Sequence, residues 1–376
     1  MKLAKVSTSH IKAVTGTTFV ATLSSLLFGY ATAIIAGVVG AIDHNFITPR
    51  GLSNTAANAL LGLTVCSLLV GTIVGALIAS PMASWLGRKP PMLFAAALFL
   101  VSALGSAYPE AGFGVVGPDA IWAFNFYRML GGIAVGIASM IAPTVVGEFA
   151  PSAVRGQLGA YQQIAITGGM TVAYFVIWGI GLQGDDNWVL ETGWRWMMLS
   201  LIVPAMAFFY LSFSVPESPS WLVKTGRIDQ AVKQLSGSAE PDEVQHMIGE
   251  LAASSSQEKT APLFTFGKRV VICGVALCVF QQVIGINAVL YYGPTIFETM
   301  GYHMDAAFLG TLVACVINLM STMVVVLVVD KLGRKPLLIF GGLTMGLSML
   351  LLGVLFHTNN TGVLALIAIC LFLAGF

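Results

Sequence analysis

Charge is what this sequence most lacks. Asp, Glu, Lys and Arg make up 9% of its 376 residues, against roughly 25% in a typical soluble domain. That is too little to cover a water-facing surface. The formal net charge is +1, so no basic face argues for nucleic acid. The five cysteines (Cys66, Cys273, Cys278, Cys315 and Cys370) all fall in apolar runs and form no CxxC pair. A disulfide framework and a zinc site are therefore not expected, and the thiols read as small packing residues. Catalytic signatures are also missing: the sequence has no HExxH, no GxSxG and no P-loop, and no histidine lies deep within an apolar run. No enzyme, metal or cofactor is implied. What is abundant is apolar, with hydrophobic residues at 57%. That suits an all-α integral membrane chain whose outer surface faces lipid.

Long apolar runs place spans near residues 14–42, 55–83, 91–108, 120–146, 157–182, 193–214, 268–297, 306–329 and 336–357, with a tenth beginning near 362. Each of the first nine has about the 17–25 residues a crossing needs. The first run is too long for a cleaved signal peptide, and more spans follow it. With a cytoplasmic amino terminus, the inner loops hold 15 of the 18 Lys and Arg residues; Arg50 and Arg195 fall outside and Arg128 lies within the fourth span. That bias predicts a multi-pass inner-membrane protein with its amino terminus inside.

Residues 215–267 are far more polar than the rest. Ile228, Ala231, Val232 and Leu235 follow helical spacing, as do Val244, Met247, Ile248 and Leu251, so short amphipathic helices are expected there. Ser254, Ser255, Ser256 and Gln257 read as a flexible link. The sequence LGRKP occurs at 86–90 after span two and again at 332–336 after span eight, 246 residues later. Such a match at equivalent loops marks a duplicated six-helix unit. The expected organisation is a six-helix bundle over 1–214, an intracellular helical loop over 215–267 and an incomplete second bundle over 268–376, with about 9–10 of 12 spans in all. The last apolar run, 363–376, is short of a full crossing. A fragment or a truncated gene product is expected, and the 376-residue chain itself is expected to transport poorly. GxxxG pairs at Gly71 and Gly75, Gly132 and Gly136, and Gly342 and Gly346 predict close helix packing.

The richest polar patch within a span is QQVIGINAVLYYGP at 281–294. Gln281, Gln282, Asn287, Tyr291 and Tyr292 are costly in lipid unless they face a cavity or partners. Gly285, Gly293 and Pro294 weaken the helix around them. Carboxamides donate and accept hydrogen bonds without charge, which matches a neutral polyol. Tyrosine offers an apolar face for sugar C–H groups beside a polar tip. Gln162, Gln163 and Asn318 add neutral polar groups at depth. On residue chemistry alone these amides serve equally as glue between helices.

This stretch resembles the seventh-helix signature of sugar porters in the major facilitator superfamily. So do PESP at 216–219, Arg128 with GGIAVG at 131–136, Glu148 with Arg155 and Gly156, Gly193-Trp194-Arg195, and residues 330–336. The likeness is nearest to bacterial xylose–proton symporters and glucose facilitators, and covers essentially the whole chain. It implies a major-facilitator fold and transport of a pentose or hexose by alternating access. It implies sugar contacts at Gln163, Gln281, Gln282, Asn287 and Asn318, with Phe28, Tyr291 and Tyr292 as wall or gate. It implies a cytoplasmic latch of Arg88, Glu148, Arg155, Glu217, Asp330 and Arg334. The implied partners are a monosaccharide, the lipid bilayer and, where coupling is kept, protons.

The departures from the pattern are specific. Proton-coupled members read Phe-Gly-Tyr-Asp in span one, and here it reads Phe28-Gly29-Tyr30-Ala31. The acid's usual partner, matched by Arg128, is expected to stand without it. A charge at a span centre costs about 2.5–3.5 kcal/mol on insertion scales, so Arg128 must find carbonyls or water. Ser84-Trp85 replaces the usual acid-and-arginine pattern, and Ser220 the arginine after PESP. These changes point to facilitated diffusion or a degenerate proton symport. A truncated, non-transporting fragment and a sugar-binding sensor remain open alternatives.

Overall fold

The structure, a computed structural model, describes residues 8–149, 155–236, 244–245, 248–250, 252–253, 267–358 and 362–376, with the side chains of 8–15, 149, 155–158, 235 and 330 outside that description. Among the described residues every regular element is a helix. In hydrocarbon no water is available to satisfy backbone N–H and C=O groups, so each crossing segment must bond to itself.

Among the described residues, nine helical stretches are long and apolar enough to span a bilayer. They are Gly16–Arg50, Asn54–Leu86, Lys89–Ala107, Gly117–Glu148, Gly159–Gly181, Asp186–Ser212, Lys268–Tyr291, Met304–Val329 and Arg334–His357, called spans one to nine here. A shorter apolar helix, Val363–Gly375, follows. The apolar runs of the sequence predict all of these. Three boundaries differ: span one stays helical to Arg50, span six begins at Asp186 rather than near 193, and span seven breaks before its apolar run ends.

Two helix pairs pack backbone to backbone. A Cβ added at Gly71 or Gly75 would overlap the carbonyl oxygens of Met129 or Ile133, and one at Gly132 or Gly136 would overlap those of Leu68 or Thr72. Spans two and four thus interlock through two GxxxG faces. Spans one and five do the same without that motif: Gly29 sits on the Ile166 carbonyl and Gly169 on that of Leu26. The third GxxxG pair is a correction, because nothing lies within 4 Å of the Cβ positions of Gly342 or Gly346.

Span seven is two pieces, Lys268–Val283 and Ile286–Tyr291, and a third piece, Gly293–Thr299, follows it. Gly285 makes the first break at φ 84°, a left-handed conformation that a β-carbon disfavours. Pro294 lies within the first turn of the third piece, where its missing N–H costs nothing locally. The first piece has no buried residue, whereas Ile286, Leu290, Tyr291, Gly293, Pro294 and Phe297 are buried.

The helical threading alternates, so loop residues gather at two ends. At one end Arg195 makes a two-pronged pair with Glu110, at 2.8 and 3.1 Å, and stacks 4.7 Å from the Trp194 ring. The Arg195 hydrogen bonds hold the Glu110 carboxyl below the usual carboxylate range. Arg50 pairs with Asp119 at 2.8 Å at the same end.

The opposite end carries Arg88. There Ser218 caps the helix Pro219–Lys224 by accepting from the Trp221 N–H, and the indole N–H of Trp221 reaches the Ser84 carbonyl at 2.9 Å. The expected helix at 228–235 is present as Ile228–Ser236, and Ala231 packs with Trp221, Leu222 and Val223. Of the second expected helix only part is described, with Val244 buried and Ile248 packed on this cluster. The link at 254–257 lies outside the described residues.

Candidate functional site

Span five packs against spans seven and eight. Gln163, Thr167, Thr171 and Tyr174 lie at i, i+4, i+8 and i+11, so they share one helix face. The Thr171 hydroxyl donates to the Cys315 carbonyl of span eight at 3.4 Å, and the buried Tyr174 hydroxyl donates to the Leu290 carbonyl of span seven. Leu290 needs that donor, because the residue four positions on is Pro294, which has no N–H. Sequence reasoning missed Tyr174 and Thr171. The signal was available as a polar stripe at helical spacing running on from Gln163.

These contacts turn the Gln163 face of span five toward spans seven and eight. Gln163 is exposed and lies on the stripe, about 12 Å from Thr171 toward the Arg88 end at 1.5 Å per residue. Asn318 lies one turn beyond Cys315 in the same direction, and its amide donates to the Leu373 carbonyl at 2.7 Å. That bond is glue to the last helix and leaves the Asn318 carbonyl oxygen unused. On span seven the half-buried Asn287 donates to the Gln282 Oε1 at 2.9 Å, across the Gly285 break. Gln281 and Gln282 are exposed. Phe28 and Tyr292 are half-buried against the apolar core. The Gln162 amide nitrogen is buried without a partner.

At the Arg195 end, spans one, six and eight and the helix Gly293–Thr299 come together. Gly37 and Gly40 of span one, Leu190 of span six, Pro294 and Glu298 after span seven, and Met304 and Phe308 of span eight line one small crevice. Burial, with a smaller contribution from Asp186, pushes the Glu298 carboxyl above its ordinary pKa.

Arg128 is 2% exposed. Its Nη1 donates to the Ala31 carbonyl at 3.2 Å, and its Nε has no partner. The buried Tyr291 hydroxyl is near enough to interact with it electrostatically, and it too has no hydrogen-bond partner. Asn125, one turn before Arg128 on span four, is 5% exposed with both amide atoms unpartnered. Asn125 was not picked out from sequence, although its i, i+3 spacing from Arg128 places it on the same face.

Of the predicted latch residues, three come together. Arg88 and Glu148 form a two-pronged pair at 2.5 and 3.0 Å. The Glu217 carboxylate accepts the backbone N–H of Arg88 at 2.6 Å and of Lys89 at 3.3 Å. Gly87 holds φ 90°, a backbone conformation that a β-carbon disfavours, so the tight loop requires glycine. Arg334, in the second LGRKP copy, is exposed. The side chains of Arg155 and Asp330 lie outside the described residues.

Comparison with known proteins gives a consistent picture. The family model described as "Sugar (and other) transporter" matches residues 17–376. The D-xylose-proton symporter of Escherichia coli (strain K12) is 40% identical over 375 residues, covering 96% of this chain and 75% of that protein. The glucose facilitated diffusion protein of Zymomonas mobilis is 38% identical over 366 residues, covering 96% and 77%. Among solved structures, the partially occluded inward-open conformation of the xylose transporter XylE from E. coli superposes with a TM-score of 0.86 at 38% identity, covering 96% of this chain and 84% of that one.

Proposed function

The chain belongs to the sugar (and other) transporter family, and from that premise we propose that it carries a pentose or hexose between its two halves by alternating access. It is a multi-pass membrane protein and a transporter rather than an enzyme. The substrate site we assign comprises Gln163, Gln281, Gln282, Asn287 and Asn318, walled by Phe28, Tyr291 and Tyr292. The two bundles, 1–214 and 268–376, rock about that site, and the 215–267 loop joins them. Curated relatives named for xylose, glucose and arabinose support the monosaccharide class.

The observation that carries this reading is the polar face of span five. Thr171 and Tyr174 hydrogen-bond onto spans eight and seven. Just beyond them, toward the Arg88 end, the same face of span five carries Gln163, and Asn318 of span eight lies one turn past Cys315 in that direction. Neutral carboxamides recognise hydroxyls without the desolvation cost of charge. We place the Arg88 end in the cytoplasm, because 15 of 18 Lys and Arg fall on that side. The conformation is then closed outside and open inside. Arg88, Glu148 and Glu217, with Arg155, Asp330 and Arg334, form the latch for the opposite state.

We further read the chain as a facilitator. Coupling needs a group that changes protonation during the cycle, and Ala31 supplies none beside Arg128. Sugar affinity of the purified protein, measured across about pH 5 to 8, tests this. It should be flat for the native sequence and become pH-dependent in Ala31→Asp. A pH-dependent native affinity would favour proton symport, as in the relatives named for it.

A further inference from the structure

The surroundings of Arg128 are built as an anion site. Three buried groups have hydrogens to give and no hydrogen-bond partner: the Arg128 Nε–H, the Asn125 amide N–H2 and the Tyr291 hydroxyl. Tyr291 lies within electrostatic range of Arg128, and Asn125 stands one turn from Arg128 on the same helix face. The guanidinium is 2% exposed, and among the described residues it forms no ion pair. The residue that meets it from span one, Ala31, offers a backbone carbonyl and only a methyl side chain.

A water molecule would satisfy several of these donors but leave the buried positive charge uncompensated, which a low-dielectric interior penalises. A small anion answers both needs. The Asn125 carbonyl oxygen is the one unpartnered acceptor in the set, so the ion meets this residue through its nitrogen. We propose that one chloride ion binds between spans one, four and seven, held by Arg128, Asn125 and Tyr291, as a resident counter-ion where no carboxylate is present.

The test needs no sugar, so its failure is separable from failure of the transport reading. Thermal unfolding of the purified chain is followed while sodium chloride replaces sodium gluconate at constant ionic strength. Gluconate is too bulky to enter a site this buried. Chloride should raise Tm saturably, by about 2–4 °C, and bromide should act likewise. Ala31→Asp supplies an internal carboxylate and should abolish the halide response. Tyr291→Phe removes one donor and should weaken the apparent halide affinity about two- to tenfold. If Ala31→Asp does not fold, Tyr291→Phe decides the matter. Equal Tm in chloride and gluconate would mean water occupies the site and would overturn the proposal. So would halide responses in Ala31→Asp or Tyr291→Phe that match the native chain.

Discussion

Replacing Tyr174 with phenylalanine removes one oxygen and should shift the conformational balance of the whole protein. The hydroxyl is fully buried and serves the Leu290 carbonyl. That carbonyl has no i+4 donor, because Pro294 occupies the place. Phenylalanine fits the same space, so packing is kept while the carbonyl loses its partner. A buried acceptor left unsatisfied costs about 1–3 kcal/mol. When the Arg195 end opens, spans five and seven separate and water can reach Leu290, so the cost falls on the closed state alone. The closed-to-open ratio should then fall about 5- to 150-fold. Spin labels at Asn187→Cys and Thr299→Cys, both exposed at that end, report the separation after Cys66, Cys273 and Cys278 are changed to serine. The native background should give mainly the short distance, and Tyr174→Phe a substantial long-distance population. An unchanged distribution would refute the view that this bond ties the halves together.

Gly132→Ala should destabilise by about 1–3 kcal/mol, since its methyl would press on the Leu68 carbonyl, whereas Gly342→Ala meets nothing within 4 Å and should be neutral or stabilising by up to about 1 kcal/mol; thermal melts of both compare the two. Glu298 gives the closed Arg195 end a pH dependence. Asp186 acts on it, Asp305 begins the helix packed beside it, and the other crevice residues are uncharged. Its pKa is raised in the closed state, so its stabilising contribution is complete below the ordinary carboxylate value and is lost as pH rises through the raised one. The label pair should therefore report more opening at higher pH, and Glu298→Gln should flatten the response.

The spans were legible because each crossing demands an unbroken apolar run, a constraint stronger than any local propensity. The break in span seven was legible too, since Gly285 and Pro294 announce it. The amide cluster at 281–287 stood out because polar groups are rare at depth. What the sequence did not disclose depends on pairing between distant segments. Gly29 and Gly169 pack as closely as the GxxxG pairs without carrying the motif, while Gly342 and Gly346 carry it and pack on nothing described. Tyr174 matters only because Leu290 stands opposite, and Asn125 only because its amide is buried beside an arginine. Asn318 read as a sugar contact, yet its N–H2 is engaged by Leu373, a partner 55 residues away that no local pattern identifies.

The account rests on a sugar site between the two halves, and equilibrium binding of D-xylose and D-glucose to the purified protein tests it most directly. Binding should be saturable and stereospecific, and should weaken about two- to tenfold in Gln282→Ala and again in Asn287→Ala, as each loses a hydrogen bond worth about 0.5–1.5 kcal/mol. Unaltered affinity in both variants would make the amides packing glue, and absence of binding by any pentose or hexose would contradict the account itself.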